Sequence, residues 1–143
     1  MTGRATRGVA IHADGDIVLV GERFNRRTGY DIWLARLDPQ GQLVWSEIFE
    51  HDRGFLFDTG YAVAWLGDDI YVGGKIAVEG EYDNRWVGRF SGVGALVWTS
   101  SADSGMQNGA IYGIAANDAM VVAAGYEDVE VAVATQWIRA YQP

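Results

Sequence analysis

The segment Trp33–Trp45, WLARLDPQGQLVW, returns as Trp86–Trp98, WVGRFSGVGALVW, and this repetition limits the fold more than any other feature of the chain. The two copies share both tryptophans, an arginine (Arg36, Arg89), a glycine (Gly41, Gly94) and the Leu-Val before the closing Trp. A shorter echo, WIRAYQP, opens at Trp137 with its arginine at Arg139, one place early. A chain that repeats a unit of about 50 residues builds supersecondary units that bury their faces against one another.

Each unit reads as a run of short strands. It opens on a small-aliphatic-small triplet: Gly8-Val9-Ala10, Ala62-Val63-Ala64 and Gly113-Ile114-Ala115. A polar turn follows (Asp14-Gly15, Gly67-Asp68, Asn117-Asp118), then a second apolar run ending at Gly21, Gly74 or Gly125. Turn residues that tolerate positive φ between two apolar runs predict a β-hairpin. Polar loops are expected over Glu22–Gly29, Lys75–Tyr82 and Tyr126–Glu130, and a third strand then carries Trp33, Trp86 or Trp137. That strand is apolar at Ile32, Trp33, Leu34 and Ala35 in succession, so both its faces call for cover. A fourth strand is predicted over Gln42–Phe49 and Ala95–Ser100, and none in the third unit.

Four antiparallel strands in each repeat, with both sheet faces needing a neighbour, is the arrangement of a β-propeller blade. The expected fold is therefore all-β: three four-stranded antiparallel blades of a β-propeller in an open or partial ring, the third blade lacking its outer strand. Approximate repeats are 4–56, 57–108 and 109–143, read as one unit of a longer array. A β-sandwich or β-prism of the same eleven strands is the competing arrangement; the repetition favours the propeller.

On the Trp33–Trp45 segment and its copy, the chain resembles the blades of bacterial repeat propellers, a kind found in exported proteins and lipoproteins. The resemblance covers nearly the whole chain and implies export to the periplasm, cell surface or medium. The same segment partly resembles the tryptophan-docking motif of quinoprotein dehydrogenases. Ala35, Gly41 and Trp45 fall in place, Asp38 stands one residue late, and Gln40 replaces a threonine. That motif concerns contacts between blades, so it implies no cofactor, and a propeller hosts many unrelated activities.

Composition narrows the partners. A net charge of -8 repels polyphosphate backbones, which excludes nucleic acid as an expected ligand. No apolar run approaches the roughly 20 residues that span a bilayer, so no membrane insertion is expected. Without cysteine there is neither a disulfide framework nor a thiolate site. His12 and His51 lack metal-ligand spacing, and Asp14/Asp16 and Asp68/Asp69 suit turns better than a calcium loop. No catalytic residue, cofactor site or metal site is assigned.

The candidate binding surface comes from the loops after the second strands and from the connections between units. The first loop is basic (Arg26, Arg27), whereas the later ones are acidic (Asp83, Glu127). The connection Glu50–Thr59 mixes charge and aromatic surface at His51, Asp52, Arg53 and Phe55, a blend that binding sites use, although the phenylalanines equally suit a plug between blades. Trp65 has no counterpart, since Ile11 and Ala116 occupy its place in the other units, and it joins the candidates. The expected function is a non-catalytic scaffold or binding module presenting loops to a protein or glycan. The alternative is a piece of a propeller enzyme, quinoprotein-like or polysaccharide-acting, whose site needs further blades. Open terminal sheets would favour self-association, including a six-bladed ring made from two copies.

Overall fold

The computed structural model describes residues 3–51, 56–80, 82–102, 108–130 and 133–143. Those residues form three antiparallel sheets and no helix. The first comprises β1 (Arg4–Ile11), β2 (Ile17–Asn25), β3 (Gly29–Leu37) and β4 (Leu43–Phe49), paired in that order. The two-residue β5 (Leu56–Phe57) joins it in parallel beside Gly29 and Tyr30 of β3. The second holds β6 (Thr59–Leu66), β7 (Asp69–Ile76), β8 (Asn84–Ser91) and β9 (Leu96–Ala102), and the third β10 (Gly109–Asn117), β11 (Met120–Glu130) and β12 (Val133–Tyr141). Among the described residues the third sheet has three strands, as the sequence predicts.

Several local expectations change. The loops expected from Glu22 and Lys75 begin later, since β2 runs to Asn25 and β7 to Ile76. The loop predicted over Tyr126–Glu130 is strand, because β11 continues through it against β12. β5 is a twelfth strand that no apolar pattern announces, since its order comes from the preceding sheet: the Leu56 N–H donates to the Thr28 carbonyl and the Asp58 N–H to that of Tyr30. The second connection repeats the latter device, with the Gly109 N–H donating to the Asp83 carbonyl.

The middle sheet packs on both sides. Val18, Val20, Ile32 and Leu34 of the first sheet meet Ile70, Val72, Trp86 and Phe90 of the second. Strand alternation sends Val87 to the other face, where it joins Ile111 and Ala123 of the third sheet. The first strands of the sheets lie closest: β6 neighbours both β1 and β10. Small residues permit this, for a Cβ on Gly73 would stand 2.5 Å from Ile111 Cγ2. Toward the fourth strands the first two sheets part, leaving a cleft of about 400 Å³ between Phe49 and Leu96.

One irregularity recurs in every sheet. The pairing of first and second strands slips by a residue between Thr6 and Gly8, between Gly60 and Ala62, and between Ile111 and Gly113. Each slip is a β-bulge, which leaves Arg7, Tyr61 and Tyr112 outside the ladder and turns the strand locally. Opposite each bulge sits Gly21, Gly74 or Gly125, where a Cβ would lie 1.8, 2.1 or 1.9 Å from the carbonyl oxygen of Ala5, Thr59 or Ala110. Only glycine fits there without moving backbone.

Gly74→Ala is expected to cost at least about 2 kcal/mol, because the crowding atoms belong to the main chain and cannot swing away. Gly113→Ala serves as its control, since nothing lies within 4 Å of a Cβ at that position. Urea unfolding of both variants measures the difference, and equal midpoints would contradict the bulge argument.

Candidate functional site

The three bulge residues bring together side chains far apart in sequence. Arg7 leans on Glu22 of the neighbouring strand, with its Nη2 2.6 Å and its Nε 3.1 Å from the carboxylate. Both guanidinium contacts go to one buried carboxylate, so the pair is fixed in orientation, and Glu22 in turn raises the Arg7 pKa above its ordinary value, first through that hydrogen bond. Tyr61 stands on the next sheet, its ring 4.8 Å from that of Tyr112, and Tyr112 stacks 5.7 Å from Tyr126. Burial pushes the Tyr126 hydroxyl up, with further pushes from Tyr112, Asp128 and Asp83.

A second aromatic row arrives from the first sheet. Tyr30 lies between Phe24 (5.2 Å) and Phe57 (5.5 Å). The two rows flank a recess of about 280 Å³ lined by Arg7, Glu22, Tyr30, Phe57, Tyr61 and Lys75. Lys75 is itself ion-paired with Asp83. Small-molecule sites span roughly 300–1,000 Å³, so this recess suits a single ring or one side chain. Its walls alternate flat apolar rings with donors and acceptors already held in place.

Between Phe57 and Thr59, which both line the recess, the chain carries a buried carboxyl. Asp58 is 2% exposed and accepts the Ala77 N–H at 2.8 Å. Burial pushes its pKa up to about 6, against the opposing pull of the Ala77 N–H and of His51, while the nearby Asp31 pushes the same way as burial. It joins the first connection to the β7–β8 loop through the Ala77 N–H. Because its folded value lies above the unfolded one, its contribution to stability is complete below about pH 4 and is lost as the pH rises through 6.

The candidates chosen from sequence divide between the two ends of the sheets. Asp83 and Glu127 lie at the recess end: Asp83 pairs with Lys75, and Glu127 binds Arg85 at 2.8 Å, whose guanidinium rests 4.9 Å over the Trp137 ring. Arg27 borders a separate recess of about 420 Å³ with Asn25, Thr28 and Glu50. Arg26 is exposed in the turn before it, and the exposed His51 sets its ring 6.3 Å from Phe49. Asp52, Arg53 and Phe55 lie outside the described residues.

Trp65 belongs to the opposite end. Its ring stacks 4.5 Å from His12 and sits 5.0 Å from the Arg36 guanidinium, and its Nε1 donates to the Gly67 carbonyl at 3.0 Å. Arg36 also binds Asp16 at 2.6 Å and, with Trp45, donates to the Gly92 carbonyl. These contacts clamp the first sheet to the second, so Trp65 works at a joint between sheets. Among the described residues, no group of three His, Asp or Glu gathers as metal ligands.

Sequence reasoning missed Arg7, Glu22, Tyr61, Lys75 and Tyr112. The signal was present: each bulge residue directly precedes the small-aliphatic-small triplet, and each second strand carries the glycine that a bulge needs. The chain matches no protein-family model, and no curated protein matches it.

Asp58→Asn, which keeps an oxygen to accept the Ala77 N–H, is expected to stabilise the protein above pH 6 by on the order of 1–3 kcal/mol. The gain should vanish near pH 4. Urea midpoints of variant and parent at pH 4, 6 and 8 measure it, and a pH-independent difference would refute the assignment.

Proposed function

We propose that the three sheets are blades of a β-propeller and that the chain is a non-catalytic binding module which takes a sugar ring of a glycan into the recess at Tyr61. The observation that carries this reading is the alternation of Tyr30, Phe57 and Tyr61 with the Arg7–Glu22 and Lys75–Asp83 pairs around a recess of about 280 Å³. Flat rings favour the C–H faces of a saccharide, and oriented charge pairs match its hydroxyls with donors and acceptors together. The size argues for one residue of a chain or a terminal sugar rather than a large cofactor.

The blade reading rests on the face-to-face packing of three antiparallel sheets, on close approach at their first strands, and on the recurrence of bulge and glycine in each. In a propeller the first strands line the central channel, so the bulge residues would ring its mouth. A ligand there touches two neighbouring sheets, through Arg7 and Tyr61, and is recognised by the spacing between them.

Titration of the isotope-labelled protein with a panel of neutral and charged oligosaccharides, followed by amide chemical shifts, is expected to move signals around Tyr61 and Lys75. Tyr61→Ala should weaken that binding at least tenfold while preserving the circular dichroism spectrum. Shifts confined to the Trp65 end, or none at millimolar saccharide, would rule the reading out.

A further inference from the structure

The sheets are stacked in one direction. Each presents one face to the sheet before it and a chemically different face to the sheet after it. The first sheet gives Val18, Val20 and Leu34 to the second, and the residues at the same register positions of the second, Tyr71, Gly73 and Val87, face the third. The receiving faces also correspond. Trp86 lies at the Val18–Leu34 face of the first sheet, and Trp137 takes the same position beneath Arg85 of the second.

This order leaves two faces without a partner, and they are not alike. The first sheet exposes part of its receiving face, where Val9 is 61%, Ile11 71% and Leu43 60% exposed, while Trp33 and Ala35 on the same face are buried, the former with the Arg4 guanidinium 5.2 Å from its ring. The third exposes its donating face, on which register places Ala115, Val122, Ala124 and Ile138, with Ile138 70% exposed. Within the chain, a face of the second kind covers a face of the first kind at both junctions.

We propose that the donating face of the third sheet docks on the receiving face of the first sheet of a second copy of this chain. The two internal junctions are the precedent for the occupant. The contact is heterologous, since it joins two different surfaces, and such contacts either close into a ring or propagate. Resting on the propeller reading, closure takes two copies: their six sheets fall within the usual range of about 4–8 blades, whereas three copies exceed it.

The new junction is thinner than the internal ones. Ala140 and Met120 stand at the register positions of the Arg36–Asp16 and Arg89–Asp69 ion pairs, and the third sheet brings no equivalent of Trp45, whose indole N–H reaches Gly92 across the first joint. Gln136 takes the place that Arg85 holds over Trp137, and the Trp33 ring of the receiving sheet already carries Arg4 of its own chain at 5.2 Å, so this junction has no cation–aromatic contact of the Arg85–Trp137 kind. Association is therefore reversible and held by apolar contact.

The test uses two exposed positions, one on each face. Sedimentation equilibrium of the 143-residue chain should show reversible dimers, and Ile11→Glu or Ile138→Glu alone should weaken dimerisation at least tenfold with an unchanged circular dichroism spectrum. Mixing the two variants restores one intact junction, between the third sheet of the Ile11 variant and the first sheet of the Ile138 variant, so a mixed dimer is expected. A parent chain that stays monomeric at 100 µM or above overturns the inference, as does a dimer indifferent to both substitutions. Failure of the mixture to associate also overturns it, because a two-fold contact through a single face would not be rescued. A ladder of larger species sensitive to both substitutions supports the docking but removes the six-sheet ring, and with it the propeller reading. Saccharide binding at Tyr61 is read separately and stands or falls without this result.

Discussion

A sheet that is apolar on both faces cannot be satisfied by one neighbour, and this constraint governs the molecule. Water leaves such a sheet only if something covers each side, at roughly 25 cal/mol per Å² of apolar surface removed. The second sheet meets the requirement, with Ile70 and Val72 turned to one neighbour and Val87 to the other. Its consequence is that order along the stack matters. Trp86 and Phe90 of the second sheet stand on the receiving side, while its donating side is cut down to Gly73 where Ile111 approaches.

Close approach at the first strands produces the bulges, and the bulges produce the site. With a regular ladder, Arg7, Tyr61 and Tyr112 would alternate into the crowded space between sheets. Slipping the register by one residue turns them out of it, and the glycine opposite accepts the displaced carbonyl. Packing necessity and site construction are thus one event. The charge pairs follow the same logic, since Glu22 is buried by the neighbouring sheet and needs Arg7 to offset its desolvation.

Much of this was legible in the sequence because repetition multiplies a weak signal. One Trp-x-x-Arg segment says little, whereas two with the same trailing Gly and Leu-Val-Trp locate third strand, turn and fourth strand together. The three-stranded third sheet was legible for the same reason. Function was not, and the cause is physical. Loop charge marks what is exposed, so it led to Arg26 and Arg27, as the lack of a counterpart led to Trp65, but a recess is made where elements from different repeats converge. Lys75 carries no local sign of that meeting, and the place of Tyr61 before its triplet marks a bulge but not what the bulge faces. Nor did any apolar pattern announce β5, whose order is imposed by the backbone of β3.

The third repeat shows how far a unit can drift while keeping its place. Arg139 sits one residue early, so it pairs with Ala123 on the receiving face, and its guanidinium lies 5.3 Å from the Tyr141 ring instead of reaching forward to a following sheet. Met120 replaces the aspartate that would have held a forward-facing arginine. Both changes remove charge from the donating face and leave the receiving face intact, where Trp137 and Tyr141 still meet Arg85 and Trp98. Contacts with the preceding sheet are kept, while the donating face carries Ala140 and Met120 in place of the arginine and the aspartate. That asymmetry is what distinguishes the last sheet from a simple copy of the first two.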